Sequence, residues 1–184
     1  MRKHALVLGL VAAVSLPAAA DGLYVFGDVG QSKFSGDISE TDNALALGLG
    51  YNLNSTFSFE LAYHDLGGFG ISDSVYEPSV GYIDVDASVD VTAYSLSALA
   101  KLPLSEKFDI YGRLGYAHVS IDSKGTGSAL GITVPVGVSD SENKATYGVG
   151  AAYKVNEKFA LRADYVKFGD MDLSSFTVGA TYTF

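Results

Sequence analysis

The sequence predicts an all-β fold, eight antiparallel strands running up and down around a barrel, and three observations predict it. Apolar and small polar residues alternate with a period of two through most of the chain, which puts two different faces on an extended backbone. The connections between these alternating stretches are short and long by turns. Finally, Phe57, Phe108 and Phe159 each open a strand directly after a short turn, at a spacing of 51 positions that sets three hairpins in one register.

Composition agrees. The chain has 184 residues, which is one domain by length, with 21 Gly, 12 Tyr and 10 Phe but no Trp and no Cys. Without Cys there is no disulfide framework and no thiolate metal site. Residues 1–20 read as a signal peptide: Arg2 and Lys3 are the positive end, Ala5 to Leu16 the apolar run, and Ala18-Ala19-Ala20 the cleavage site, so a barrel domain would occupy 21–184. The formal net charge is −9 and would fall by two more with Arg2 and Lys3 gone. Such a charge argues against nucleic acid as a partner. No stretch approaches the roughly 20 apolar residues of a membrane helix, so residence in a membrane requires a closed barrel.

In order, Leu23, Val25, Gly27 and Val29 alternate with Tyr24, Phe26, Asp28 and Gly30 in a first strand that runs to Lys33. The segment from Ser35 to Asn43 reads as a loop. Leu45, Leu47, Leu49 and Tyr51 face outward on strand two, and Asn52 to Thr56 turns the chain. Strand three sends Phe57, Phe59, Leu61 and Tyr63 outward and Ser58, Glu60, Ala62 and His64 inward. Gly67 to Asp90 reads as the longest insertion, although Ile83 to Val91 alternates again with Asp84, Asp86 and Asp90 between. Tyr82 to Leu102 is therefore read as one long strand four projecting beyond the membrane, with a bulge near Asp90 to Thr92 as the other account of its parity switch.

Pro103 to Lys107 is the second short turn. Strand five turns Ile110, Leu114, Tyr116 and His118 outward and Tyr111, Arg113 and Ala117 inward. Asp122 to Asn143 reads as a Gly- and Ser-rich loop with a short alternation around Ile132 to Val138. Strand six carries Ala145, Tyr147, Val149, Ala151 and Tyr153 outward, Val155 to Lys158 turns, and strand seven carries Phe159, Leu161, Ala163 and Tyr165 outward with Arg162 and Asp164 inward. After a brief loop, Phe176, Val178, Ala180, Tyr182 and Phe184 share one face of strand eight.

That last strand resembles the terminal strand of bacterial outer-membrane β-barrels, in which the final Phe and the alternate apolar residues before it are read by the barrel-insertion machinery. The resemblance assigns this signal to Phe184 and Tyr182. From Tyr147 to Tyr165, and again over Ala100-Lys101-Leu102 with Phe108 to Gly115, the chain is similar to the small OmpA/OmpX-type barrels, including the opacity-type family. It implies a transmembrane β-barrel in the bacterial outer membrane, held by lipid and lipopolysaccharide, with no cofactor. The peptidoglycan-binding domain of the longer OmpA-type proteins is not expected after Phe184.

The resemblance also implies a few opposed charges across the lumen. Glu60 and Arg162 match one such pair; Lys101 matches a second, but Ala152 stands where its Glu is expected, and Asp28 stands where a Lys is usual. The expected inward set is Asp28, Glu60 and Asp164 against Lys101, Arg113 and Arg162, with Lys101 pairing to Asp28 or to Glu60. An eight-stranded barrel is narrow enough for side chains to fill it, so these charges are read as structural, with a gated ion path as the rival.

One constellation has a catalytic alternative. His118, Ser120 and Asp122 share the outward face of strand five, as in lipopolysaccharide deacylases, where a His activates a Ser. Successive same-face residues lie about 7 Å apart along a strand, so no catalytic site is assigned and a polar rim is preferred. His64 with Asp65 is one His and one carboxylate, too few for zinc, and is read as rim. The acids Asp37, Glu40, Asp42, Asp73, Glu77, Asp84, Asp86, Asp90, Asp140 and Glu142 have no calcium-loop spacing and read as solvated surface. The sequence thus points to a non-enzymatic envelope protein, with a surface adhesin or resistance factor binding an extracellular ligand through its loops as the alternative.

Overall fold

A computed structural model of the chain describes residues 22–35, 39–77, 81–129 and 132–184. The leader at 1–20 and the side chains of Asp37, Glu40, Asp73, Glu77, Asp84 and Asp86 lie outside the described residues.

Eight antiparallel strands close on themselves: β1 Leu23–Ser35, β2 Ser39–Asn52, β3 Phe57–Glu77, β4 Gly81–Pro103, β5 Phe108–Ala129, β6 Ile132–Lys154, β7 Phe159–Phe168 and β8 Leu173–Thr183. Closure comes from β1 on β8, registered from Tyr24 opposite Thr183 to Phe34 opposite Leu173. Closure pairs each strand with two neighbours and leaves the sheet no first or last strand, the condition for crossing a bilayer with strands.

The three short turns are one structure repeated. Asn54 Oδ1 accepts from the Thr56 and Phe57 amides, both at 2.8 Å. Asn156 Oδ1 does the same for Lys158 and Phe159 at 2.9 and 2.8 Å, and Ser105 Oγ for Lys107 and Phe108 at 3.4 and 3.1 Å. A short side-chain acceptor three positions before the Phe thus caps the reversal each time, which is the physical content of the 51-residue spacing.

The other end differs from expectation. The stretches read as long loops, Gly67 to Asp90 and Asp122 to Asn143, are largely strand: β3 and β4 stay paired out to Glu77 opposite Gly81, and β5 and β6 out to Ala129 opposite Ile132. The first loop shortens likewise, since β2 begins at Ser39. The cause is the alternation already noted at Ile83 to Val91 and Ile132 to Val138: with β4 also paired to β5 as far as Asp84 opposite Ser128, these segments satisfy their backbone groups as a four-stranded sheet rather than as coil.

β4 runs unbroken along β5, as one long strand, and the bulge sits across from it on β3, where the register shifts between Asp65 and Gly68. Gly67 there has φ +72°, a left-handed conformation open to glycine, and the Gly68 amide donates to Asp42 Oδ2 at 2.8 Å.

Outward positions carry the large apolar side chains, Leu49, Leu61, Leu96, Leu114 and Val149 among them, each more than half exposed. Aromatics flank them in two rings six residues apart along four strands: Phe57 and Tyr63, Tyr153 and Tyr147, Phe159 and Tyr165, Tyr182 and Phe176. Six residues span about 20 Å along the strand, which at the usual tilt sets the two rings roughly 15 Å apart in height, within the apolar band of a barrel in a bilayer.

Candidate functional site in the barrel interior

Inward positions build three layers, and the strand parity decides their membership. At the short-turn end is an open cavity of ≈ 260 Å³ whose lining includes Asn52, Lys101, Asp109, Lys154 and Thr183. Two of its walls are tied: Lys154 Nζ lies 2.9 Å from Asp109 Oδ2, and Lys101 Nζ donates to Asn52 Oδ1 at 2.6 Å while standing 5.4 Å from the centre of the Tyr24 ring. The expected pairing of Lys101 with Asp28 or Glu60 does not form. Asn52 and the Tyr24 ring face hold it at the cavity wall instead.

Above the cavity, Asp28, Glu60, Arg113, Arg162 and Asp164 come together, all buried. Arg162 is the hub. Its Nη1 is 2.8 Å from Glu60 Oε1, and its Nε is 2.7 Å from Asp164 Oδ2 and 3.6 Å from Asp28 Oδ2. Arg113 donates to Glu60 from β5, midway round the wall between Glu60 on β3 and Arg162 on β7, and approaches Asp164 Oδ1 at 3.4 Å. The guanidinium of Arg162 also stacks 4.3 Å from the centre of the Phe26 ring, an arrangement its flat, weakly hydrated group favours.

Two residues that charge-matching overlooked complete this layer. Tyr24 Oη donates to Glu60 Oε1 and Tyr111 Oη to Asp164 Oδ2, each at 2.8 Å. Both had inward parity in the sequence; what was not legible is that each ring lies flat over a glycine. A Cβ on Gly50 would run into the Tyr24 ring, and one on Gly150 into the Tyr111 ring. These two missing side chains let the tyrosines lie across the lumen and reach the acids.

The third layer, at the long-hairpin end, is apolar. Leu66, Val91, Ala93, Ala117, Val119, Val166, Phe168 and Leu173 form one buried cluster, with Phe34, Val89, Ile121 and Met171 packed against it. His64 lies between the layers, buried, with Nε2 2.8 Å from Ser95 Oγ and its ring edge-on to Phe168. Its assignment to the rim is corrected: the inward parity of β3 holds as far as Leu66, while Asp65 faces out and accepts from the Gly67 amide.

On the outer wall, His118 Nδ1 pairs with Asn143 Oδ1 at 2.9 Å, and Asp122 Oδ1 accepts from Ser139 Oγ at 2.5 Å. Both bonds run across to β6, and no hydrogen bond joins Ser120 to either residue among the described residues. Among them, too, no group of three or more His, Cys, Asp or Glu is placed to hold a metal ion. Tyr182 and Phe184 stack edge to face at the short-turn rim, ring centres 5.4 Å apart, and the Phe184 amide donates to Leu23 O.

A closed eight-stranded wall, greasy outside, ringed twice with aromatics and filled with side chains, defines the class of integral outer-membrane β-barrel proteins. Residues 5–184 match the model of the outer membrane protein beta-barrel domain, and the chain belongs to that family. It is similar in fold to the attachment invasion locus protein Ail of Yersinia pestis, at 22% identity and a TM-score of 0.53, over 89% of this chain and 99% of that one. Neisserial surface protein A is similar at 18% identity and a TM-score of 0.56, over 89% and 97%. The N-terminal β-barrel domain of Pseudomonas aeruginosa OprF is similar at 16% and 0.59, over 89% and 98%. No curated protein matches the sequence. The protein is therefore an outer-membrane β-barrel of bacteria, surrounded by outer-membrane lipid.

Proposed function

We propose that the protein is a non-enzymatic brace of the outer membrane whose barrel is sealed by side chains. The observation that carries this reading is the stacking of two unlike seals in one lumen, the Arg162-centred charge layer and the apolar cluster around Phe168. A structural role for Asp28, Glu60, Arg113, Arg162 and Asp164 follows from their mutual pairing: each holds a neighbour's charge instead of facing a path. Planar-bilayer recording tests it. Glu60→Ala and Arg162→Ala are expected to conduct no more than the parent protein; steady conductance in either would favour the gated path. Loss of the gene should raise detergent sensitivity of the cells.

A surface adhesin is the second reading, favoured by the sheet of β3 to β6 that continues beyond the barrel wall. Ail of Yersinia pestis, similar in fold, has been crystallised in complex with the heparin analogue sucrose octasulfate. For the present acidic chain, shortening the β3–β4 and β5–β6 hairpins and comparing adhesion with detergent sensitivity separates the two readings. The leader at residues 1–20 and the use of Tyr182 and Phe184 by the insertion machinery belong to the same proposal. Deleting Phe184 should lower the amount of heat-modifiable, folded barrel in the membrane.

A further inference from the structure

The cavity at the short-turn end is a cup with a closed inner end. Glu60 and Arg162 of the charge layer, with Tyr24 and Tyr111, line its inner part, and the turn residues Asn156 to Lys158 stand at its mouth. In barrels of this kind the short turns face the periplasm. The cup therefore opens on that side and leads nowhere, a shape suited to binding and not to passage.

Its cations are not all matched. Arg162 meets the acids of the layer, and Lys154 meets Asp109. Lys101 has no ion pair among the described residues. Its ammonium donates to Asn52 Oδ1 at 2.6 Å and lies beside the Tyr24 ring, which leaves it further N–H donors. The Asn52 contact also orients that amide: with Oδ1 accepting from Lys101, the remaining end is the Nδ2 donor, which has no partner among the described residues. One ammonium and one amide, both in the lining, thus offer donors to the two oxygens of a single carboxylate.

The rest of the lining narrows the ligand. A phosphate dianion would bring a second negative charge to one unmatched cation, with Glu60, Asp109 and Glu157 in the same wall. Leu99, Phe159 and Ala160 give apolar surface beside the donors. On β6 the lining residue is Ala152, where a Glu partner for Lys101 was expected, and its methyl leaves the place of that carboxylate open. The volume, ≈ 260 Å³, falls below the roughly 300–1,000 Å³ of drug-sized sites, so the occupant is a small molecule or the end of a chain.

We propose that the cup binds a monocarboxylate with an apolar body, its oxygens accepting from Lys101 Nζ and Asn52 Nδ2. The acid is either free in the periplasm or the terminus of a peptide. This goes beyond the brace reading, needs the charge layer only as a floor, and is measured in micelles, apart from conductance and detergent sensitivity.

Proton–nitrogen NMR of the full labelled chain in micelles tests it through the backbone amides at positions 52, 101 and 183, with heat-modifiability as the check that each variant is folded. Phenylpropanoate and its neutral amide are one pair of probes; acetyl-Ala-Phe with a free and with an amidated carboxyl end is the other. Saturable shifts are expected with an acid and none with its amide. Tighter binding of the peptide acid names a chain terminus as the source, and tighter binding of phenylpropanoate a free acid. Lys101→Met should weaken binding at least about tenfold, the lower end for a hydrogen bond to a charged group. Asn52→Asp keeps an acceptor for Lys101 but removes the amide donor, and should weaken binding as much. Ala152→Glu puts an internal carboxylate in the cup and should abolish binding. Equal shifts with acid and amide, no shift with either acid, or retained binding in Lys101→Met or Ala152→Glu would overturn the proposal. So would an equal loss in Lys33→Gln at the opposite end of the barrel, which would mean net charge alone.

Discussion

The two seals of the lumen are built on opposite principles. The charge layer works by enumeration: Arg162 alone touches Asp28, Glu60 and Asp164, and each acid not paired would be a charge left in a narrow, dry space. The apolar cluster around Phe168 works by volume, and any side chains of similar size would fill it. The first seal is therefore brittle to single changes and the second graded.

The largest expected effect breaks the first. Arg162→Ala leaves Asp28 without a cation and Glu60 and Asp164 with Arg113 alone, and should destabilise the barrel by about 3–5 kcal/mol, the usual consequence of breaking a buried pair, read as a lower urea midpoint in micelles. In the second seal, Leu66→Ala should cost about 2–4 kcal/mol through the cavity it leaves, whereas Leu66→Met should cost less than about 1.5. If the charge layer tolerated a conservative swap as well as the cluster does, the contrast would collapse; Arg162→Lys is the sharpening test, expected to restore only part of the loss because an ammonium cannot span Glu60 and Asp164 as the fork does.

Smaller still, Gly150→Ala should cost about 1–3 kcal/mol by displacing the Tyr111 ring. Tyr111→Phe should then show what the Asp164 hydrogen bond contributes, about 1 kcal/mol or somewhat more for a charged acceptor. The smallest effect lies outside both seals. At the hairpin end Lys144 reaches Asp170 at 3.2 Å and Glu142 at 2.8 Å, and its hydrogen bond holds the Asp170 carboxyl below the usual range. A lowered acid contributes stability above its unfolded value and loses it as pH falls through the folded one. Acidification should therefore speed exchange of the Met171 amide, which closes this turn on Phe168 O.

Much of this barrel was legible in the chain because a strand's faces depend only on parity. Phe57, Phe59, Leu61 and Tyr63 had to share a face with each other and oppose Glu60 and His64 whatever the neighbours did. The three turns were legible for the same local reason, an acceptor side chain three residues ahead of each Phe. The inward charges could be named from parity before any of their contacts were known.

What tertiary structure alone decided is which inward residues meet, since that depends on the stagger of strands far apart in sequence. It placed Lys101 on Asn52 instead of an acid, brought Tyr24 and Tyr111 to Glu60 and Asp164 over two glycines, and gathered Leu66, Val119 and Phe168 from three strands into a plug. It also turned two supposed loops into sheet, because whether an alternating segment finds an edge to pair with is a property of its neighbours and not of its own residues.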